Sequence, residues 1–318
     1  EEGTAGIPAL GFHKTGAPDT VTAIRECSLQ ADPSREICDF IEKLALRENL
    51  PFYDPVAQSG LLRSLSIRVG LAGDIMVTFG FAEEPGTEVL RLLSTAGCAF
   101  PEIKSLCYTT HLSPSHSQMQ GPIHPFPGYP DTIMEHLGGL RFMIHASSFF
   151  QPNAAQAGRI FSTIREWAGL SGKELVVDLY TGTGTIALHL AHTAGRVIGI
   201  EGSERAIRDA TENAKTNHIT NTLFLTGDIL ETFKPDFLEE HGKPDLIVLD
   251  PPRSGTLIEI KKTINGSGAD KVIYLSCNPV SLAFDLKQLT EVYHVTRIQP
   301  FDMLPQTHHL ETLVMLER

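Results

Sequence analysis

After Phe149 the chain alternates between short apolar runs and helix-period stretches, and this regularity restricts the fold more than any other feature. Candidate strands fall at residues 175–179, 197–200, 223–225, 246–249 and 272–275, with helical patterns at 154–168, 186–192, 204–217 and 280–289. Strands that each hand over to a helix are joined by crossovers, which pair them in parallel, and helices then cover both faces of the sheet. Runs such as Leu246-Ile247-Val248-Leu249 are accordingly apolar at every position rather than at every second one. The expectation for residues 146–318 is a doubly wound α/β sheet. Residues 291–300 and 310–316 are strand-like with no helix between them, so the last strand is expected to enter antiparallel at an edge.

The first part reads as a separate α+β domain over residues 1–145, which suits a 318-residue chain of two domains. Ile37, Ile41, Leu44 and Ala45 repeat at helical spacing within residues 34–48. Residues 64–69 and 74–81 form a candidate hairpin around Gly70-Leu71-Ala72-Gly73. Residues 110–132 are rich in Pro, His, Ser and Gly and nearly uncharged, as a mobile loop would be. His111, His116 and His124 fall there without Cys or carboxylate partners at ligand spacing, which disfavours a metal cluster.

Composition removes several classes. No apolar run approaches the roughly 18 residues of a membrane span, so no membrane association is expected. Glu1-Glu2-Gly3-Thr4 has no initiator Met and no basic stretch leading into an apolar one, and reads as a chain cut from something longer. Five scattered cysteines argue against a disulfide scaffold and for a reducing cytoplasm. The formal charge of −12, acidic in both halves, speaks against a broad basic face for nucleic acid. No obligate protein partner is evident.

The chemistry lies at the strand ends. Asp178-Leu179-Tyr180-Thr181-Gly182-Thr183-Gly184 carries the first strand into a helix, with glycines that let the backbone approach a ligand. Glu201 ends the second strand, where a carboxylate can accept both hydroxyls of a ribose, and Gly227-Asp228 follows the third, beside an expected adenine. These features are shared with nicotinamide enzymes. Asp250-Pro251-Pro252-Arg253 separates the two, because paired prolines make a rigid turn that holds Asp250 at the crevice, a device of methyltransferases rather than dehydrogenases. The fifth strand ends Ser276-Cys277-Asn278-Pro279, placing a thiol at the same edge beside a helix start, where thiolates are favoured. Residues 301–311 form a polar loop ending in Glu311 at a strand start.

Together with Phe149-Phe150-Gln151-Pro152-Asn153, these motifs resemble the RNA (uracil-5-)-methyltransferases that form 5-methyluridine, across essentially the whole chain and most closely the large-subunit (23S) ribosomal RNA branch. The resemblance implies a Rossmann-like S-adenosylmethionine-dependent methyltransferase domain, with RNA, ribosomal ahead of tRNA, as substrate. It implies Cys277 as nucleophile, Glu311 as base, and Gln151, Tyr180, Gly182, Glu201, Asp228 and Asp250 as cofactor contacts. For Asp250 two roles stay open, the uracil edge or the cofactor amine. Thr185, Leu304 and Pro152 depart from the family pattern, and Thr185 affects one cofactor contact. The implied mechanism is covalent: the thiolate adds to uracil C6, C5 takes the methyl, and Glu311 removes the C5 proton. The target base is expected to leave its stack.

The resemblance also implies that Cys27, in Val21-Thr22-Ala23-Ile24-Arg25-Glu26-Cys27, is the fourth ligand of a 4Fe-4S cluster. The other three ligands and an RNA-binding barrel would then belong to an upstream piece, which would also account for the acidic balance. Three alternatives compete with this reading. An amino-methyltransferase has no use for Cys277 and usually places an aromatic where Arg253 stands. A non-catalytic RNA-binding relative would not need the Cys277 and Glu311 pair, and a dehydrogenase would not need the two prolines.

Overall fold

The computed structural model describes residues 8–14, 16–24, 26–110 and 121–318. Two compact units divide the chain, one reaching to Met134 with His145–Ser147, the other holding Glu135–Ile144 and Ser148–Arg318.

In the first unit the hairpin of β1 (Gly11–Lys14) and β2 (Ala17–Ala23) precedes α1 (Ser34–Arg47). The helix buries Ile37, Ile41, Leu44 and Ala45, the stripe that helical spacing marks. β3 (Leu62–Val69) and β4 (Ile75–Phe81) form the expected antiparallel hairpin. α2 (Thr87–Ala99) then crosses over to β5 (Ile103–Thr110), which therefore lies parallel to β4, and β6 (His124–Pro125) pairs with β5 on its other side. β4 is buried at all seven positions, as suits an inner strand. Of the loop histidines, His111 and His116 lie outside the described residues, while His124 stacks on Tyr108 at 5.3 Å between ring centroids.

The hairpin β7 (Thr132–Leu137) and β8 (Leu140–His145) carries the chain onward, and its turn end belongs to the second unit. There the side chains of Asn213 and Asn217 substitute for a strand partner: their carbonyls accept from Met143 N at 2.7 Å and Arg141 N at 2.8 Å.

The second unit continues with α3 (Ala154–Ala168), capped by Asn153 and closed by Gly169 in the left-handed conformation. The alternation then runs β9 (Leu175–Leu179), α4 (Thr185–Ala191), β10 (Arg196–Glu201), α5 (Glu204–Thr216) and β11 (Thr222–Thr226). The helices α6 (Ile229–Thr232) and α7 (Pro235–His241) lead to β12 (Leu246–Leu249), α8 (Ile258–Gly266), β13 (Lys271–Ser276) and α9 (Pro279–Leu289). β14 (His294–Phe301) and β15 (Glu311–Glu317) end the chain. The sheet order is β11-β10-β9-β12-β13-β15-β14, parallel from β11 to β13, as the alternation requires. Each Val, Ile or Leu shut inside it contributes about 1.5–3 kcal/mol.

The last strand departs from its expected place. β15 is antiparallel to its neighbours, as expected, but it slots between β13 and β14 rather than lying at the edge. Its run Thr312-Leu313-Val314-Met315-Leu316 is buried throughout, whereas β14 is exposed at every residue but Phe301, so burying the more apolar strand decides the order. Strand order reverses at β9 and β12. The crevice outside their carboxyl ends is where an open parallel sheet takes its ligand.

Candidate active site

At the end of β9 the chain turns sharply, with Tyr180 at φ +65°, Gly182 at +55° and Gly184 at +80°. A Cβ on Gly184 would meet Ala210 and the Phe224 ring at 3.0–3.3 Å, so only glycine packs there. Tyr180 holds a left-handed backbone without that freedom, and its hydroxyl shares a hydrogen bond with Thr256 Oγ1 at 2.8 Å. Asp178 is fully buried beneath the turn. Its Oδ2 accepts from Thr181 Oγ1 at 2.6 Å and Ala187 N at 3.1 Å, while Oδ1 has no partner. Burial outweighs these bonds and pushes the carboxyl up to about 7.

Glu201, at the end of β10, clasps the same turn. One oxygen accepts from Gly182 N at 3.3 Å and the other from Ser203 N at 2.9 Å. Asp228 caps α6, accepting from Leu230 N at 2.9 Å. The Tyr180 hydroxyl is pushed up first by burial and then by the carboxylates of Asp228, Asp285 and Glu201. Gln151 is half-buried ahead of α3, and the bond from its segment to the loop before β15 runs through Asn153 Nδ2 to Met303 O at 3.2 Å. This acid-rich crevice, with one buried carboxyl oxygen lacking a donor, fits a ligand that brings positive charge and hydroxyl donors. S-adenosylmethionine has both, in its sulfonium and ammonium groups and its ribose.

Cys277 and Glu311 meet through strand register. Ser276 pairs with Thr312 as the last rung across β13 and β15, so Cys277 and Glu311 each stand one residue beyond it, close enough for Glu311 to act on the thiol. Beyond β13 the chain stops extending because Ser276 Oγ accepts from Asn278 N at 3.2 Å and donates to Asn278 O at 3.0 Å. Asn278 in turn caps α9, accepting from Val280 N at 3.0 Å. Burial pushes the Cys277 thiol up and Glu311 adds to this, while a hydrogen bond and the charge of Arg253 pull it down. Burial likewise raises Glu311, with Arg253 opposing. Asp250 is driven well above the usual carboxylate range by burial, then by Glu311 and Asp178.

Arg253 was not among the site residues expected from sequence, and its charge opposes the upward shifts of both Cys277 and Glu311. Its backbone carbonyl accepts from Asn278 Nδ2 at 2.9 Å, and its guanidinium donates to His309 Nδ1 at 2.5 Å. The signal was present in the motif, since a rigid Pro-Pro turn that fixes Asp250 also fixes the next residue. Cys27 lies in the first unit, lining a crevice with Cys38, Glu26 and Asp39. Among the described residues no group of three or more His, Cys, Asp and Glu is placed to hold a metal, and Cys27 stands there as a single cluster-type ligand. A cavity of about 550 Å³ in the first unit, walled by Phe12, Phe52, Tyr53 and Phe81, carries none of the expected site residues.

Comparison with known proteins matches this geometry to a family. The family model described as tRNA (uracil-5-)-methyltransferase matches residues 237–318, and one described as methyltransferase domain matches residues 176–250. A protein of Bacteroides thetaiotaomicron named an uncharacterized RNA methyltransferase is 41% identical over 97% of this chain and 68% of its own length. One of the same name from Porphyromonas gingivalis is 41% identical over 97% and 67%. The crystal structure of Pyrococcus abyssi tRNA (uracil-54, C5)-methyltransferase with S-adenosyl-L-homocysteine superposes with a TM-score of 0.80 at 27% identity, covering 97% of this chain and 72% of that one. With its mixed α/β sheet of S-adenosylmethionine-dependent type, the chain belongs to the RNA (uracil-5-)-methyltransferase family.

Proposed function

We propose that this protein methylates C5 of a uridine in RNA through a covalent adduct between Cys277 and C6. The observation that carries the reading is that Cys277 and Glu311 stand one residue beyond the last paired rung of β13 and β15, where each feels the charge of Arg253. Uracil C5 is a weak nucleophile, and adding a thiolate to C6 turns it into an enolate carbon able to attack. Arg253 favours the thiolate, and Cys277 forms the S–C6 bond. Bound S-adenosylmethionine supplies the electrophilic methyl. Glu311, one strand away, then takes the C5 proton, and the S–C6 bond breaks as the C5=C6 double bond re-forms. Gln151, Tyr180, Gly182, Glu201 and Asp228 hold the cofactor. Asp250 joins them from the β12 side, where its raised carboxyl suits either a cationic amine or a uracil N–H.

Ribosomal RNA is the proposed substrate, resting on the likeness of the motifs to that branch, although the Pyrococcus abyssi relative is named for tRNA. A cytoplasmic setting accords with five free cysteines. Among the described residues, no helix is long and apolar enough to cross a membrane.

The test uses 5-fluorouridine, whose fluorine cannot leave as a proton does. Wild type and Cys277→Ala are mixed with S-adenosylmethionine and fluorinated fragments of large-subunit rRNA or tRNA, then run on a denaturing gel. A heat-stable adduct with rRNA, absent from Cys277→Ala, is expected. An adduct with tRNA alone would overturn the substrate while leaving the chemistry. Methylation surviving Cys277→Ala would overturn the chemistry.

A further inference from the structure

Behind the Asp250-Pro251-Pro252-Arg253 turn lies a buried polar cluster that the reaction does not use. Asp285, on α9, is 4% exposed and accepts three bonds. Its Oδ1 takes Lys261 Nζ at 2.5 Å, and its Oδ2 takes Tyr274 Oη at 2.6 Å and Thr256 N at 2.9 Å. Lys261 and Tyr274 are themselves buried, at 5% and 0% exposed. A charge pair shut in a core costs much of what it returns, and apolar replacements of like volume are often as stable or more so, so its use lies in fixed geometry.

That geometry is the loop leaving β12. Gly255, at φ +81°, passes so close that a Cβ would come within 2.5 Å of Asp285 Oδ2. Gly255 N closes a tight turn on Pro252 O at 2.8 Å. Thr256, whose backbone N–H Asp285 holds, passes the constraint on through its hydroxyl to Tyr180 Oη at 2.8 Å. The loop is gripped a second time by α9, because Asn278 at the helix N-cap holds Arg253 O. Asn278 and Asp285 are seven residues apart, two helical turns along one face. A single helix thus clips the loop on both sides of the turn and begins immediately after Cys277.

We propose that Asp285, held by Lys261, is a positioning residue that sets the Arg253 guanidinium against the Cys277 thiol and the Tyr180 ring against the cofactor. It touches neither substrate nor cofactor and acts through Thr256 and Gly255. The proposal rests on the placing of Arg253 and Tyr180 in the site just described. Its readouts do not depend on which RNA is methylated or on whether an adduct forms.

The experiment follows alkylation of Cys277 by iodoacetamide against pH, read by mass spectrometry, beside S-adenosylmethionine affinity by calorimetry. Wild type is compared with Asp285→Asn, Gly255→Ala and Arg253→Met. Asp285→Asn should move the alkylation midpoint upward in the direction of Arg253→Met, slowing alkylation about tenfold at neutral pH for a shift of one unit. It should also weaken S-adenosylmethionine binding several-fold, which Arg253→Met should not. Gly255→Ala keeps the Lys261, Asp285 and Tyr274 side chains and their charges while forcing the loop and the Asp285 carboxyl apart, and should reproduce both effects. It decides the matter if Asp285→Asn does not fold. Folded variants with wild-type alkylation profile and affinity would overturn the proposal. Wild type that fails to bind S-adenosylmethionine would sink the methyltransferase reading instead, and alkylation would still report on Asp285.

Discussion

At the scale of single residues the site is a contest between burial and one cation. Cys277, Glu311 and Asp250 are all pushed toward their neutral forms, and Arg253 opposes this at the first two. The thiol lies above its usual range, so the thiolate fraction, and with it methylation below that range, should climb about tenfold per pH unit. A rate flat from pH 6.5 to 8.5 would show that ionisation of Cys277 does not limit the reaction. Replacing Glu311 separates the two halves of the chemistry. On the proposed mechanism Glu311→Gln cannot take the C5 proton, so turnover should fall by about 10²–10⁴. The covalent complex should then accumulate on ordinary uridine RNA, visible on a denaturing gel without fluorine. Loss of turnover with no trapped complex would place Glu311 before adduct formation. The motifs named Cys277 and Glu311 as candidates before any geometry did. The motifs also held Arg253, but its hold on Cys277 and Glu311 depends on the residue after β13 and the start of β15, which are distant from it in sequence.

At the scale of elements, strand order does what side chains alone cannot. β15 brings Glu311 to Cys277 only because it lies between β13 and β14. As an edge strand beyond β14 it would leave them a full strand apart, about 4.8 Å farther. Leu313 is fully buried in that strand, whereas Ile298 of β14 is 61% exposed. Leu313→Ala should therefore cost about 2–5 kcal/mol, and Ile298→Ala stay within about 0.5 kcal/mol. Urea unfolding of both variants checks this, and equal costs would contradict the strand order. Periodicity made α1, α3, α4, α5, α9 and the parallel strands of the second unit readable, down to Ile37, Ile41, Leu44 and Ala45 on α1, but α2 and α8 were not marked by it. It did not tell edge from interior for the last two strands, since that choice compares the burial of one strand with the other.

At the scale of the whole molecule, Asp178 ties folding to pH, and a cationic cofactor in the crevice would join that link. Its folded carboxyl is pushed up to about 7 from an ordinary 3.8, so the native state binds the extra proton. Stability from this group is accordingly full below the unfolded value and is lost as pH rises toward 7, on the order of 4 kcal/mol at most. A cationic ligand reverses the balance by favouring the carboxylate. S-adenosylmethionine should bind more tightly as pH rises through 7, with proton release below it, and its gain in Tm should be larger at pH 8 than at pH 6. Asp178→Asn should flatten that dependence, measured by thermal melts with and without the cofactor. A gain independent of pH in wild type would show that the cofactor does not act on this carboxyl.

The sequence by itself determined the parallel sheet and named the candidate site residues, because apolar periodicity and strand-end motifs are local and each element carries its own signal. Alternation from Leu175 to Leu289 specified parallel pairing, and the chain order of Asp178, Glu201, Asp228, Asp250 and Cys277 placed each at a carboxyl end. Tertiary structure alone decided which of them meet. The order of β14 and β15, the reach of Arg253 to both Cys277 and Glu311, and the hold of Asp285 on Thr256 all join groups far apart in the chain. Their geometry is settled by which surfaces lose water together when the sheet closes, a property of pairs that no single stretch of sequence encodes.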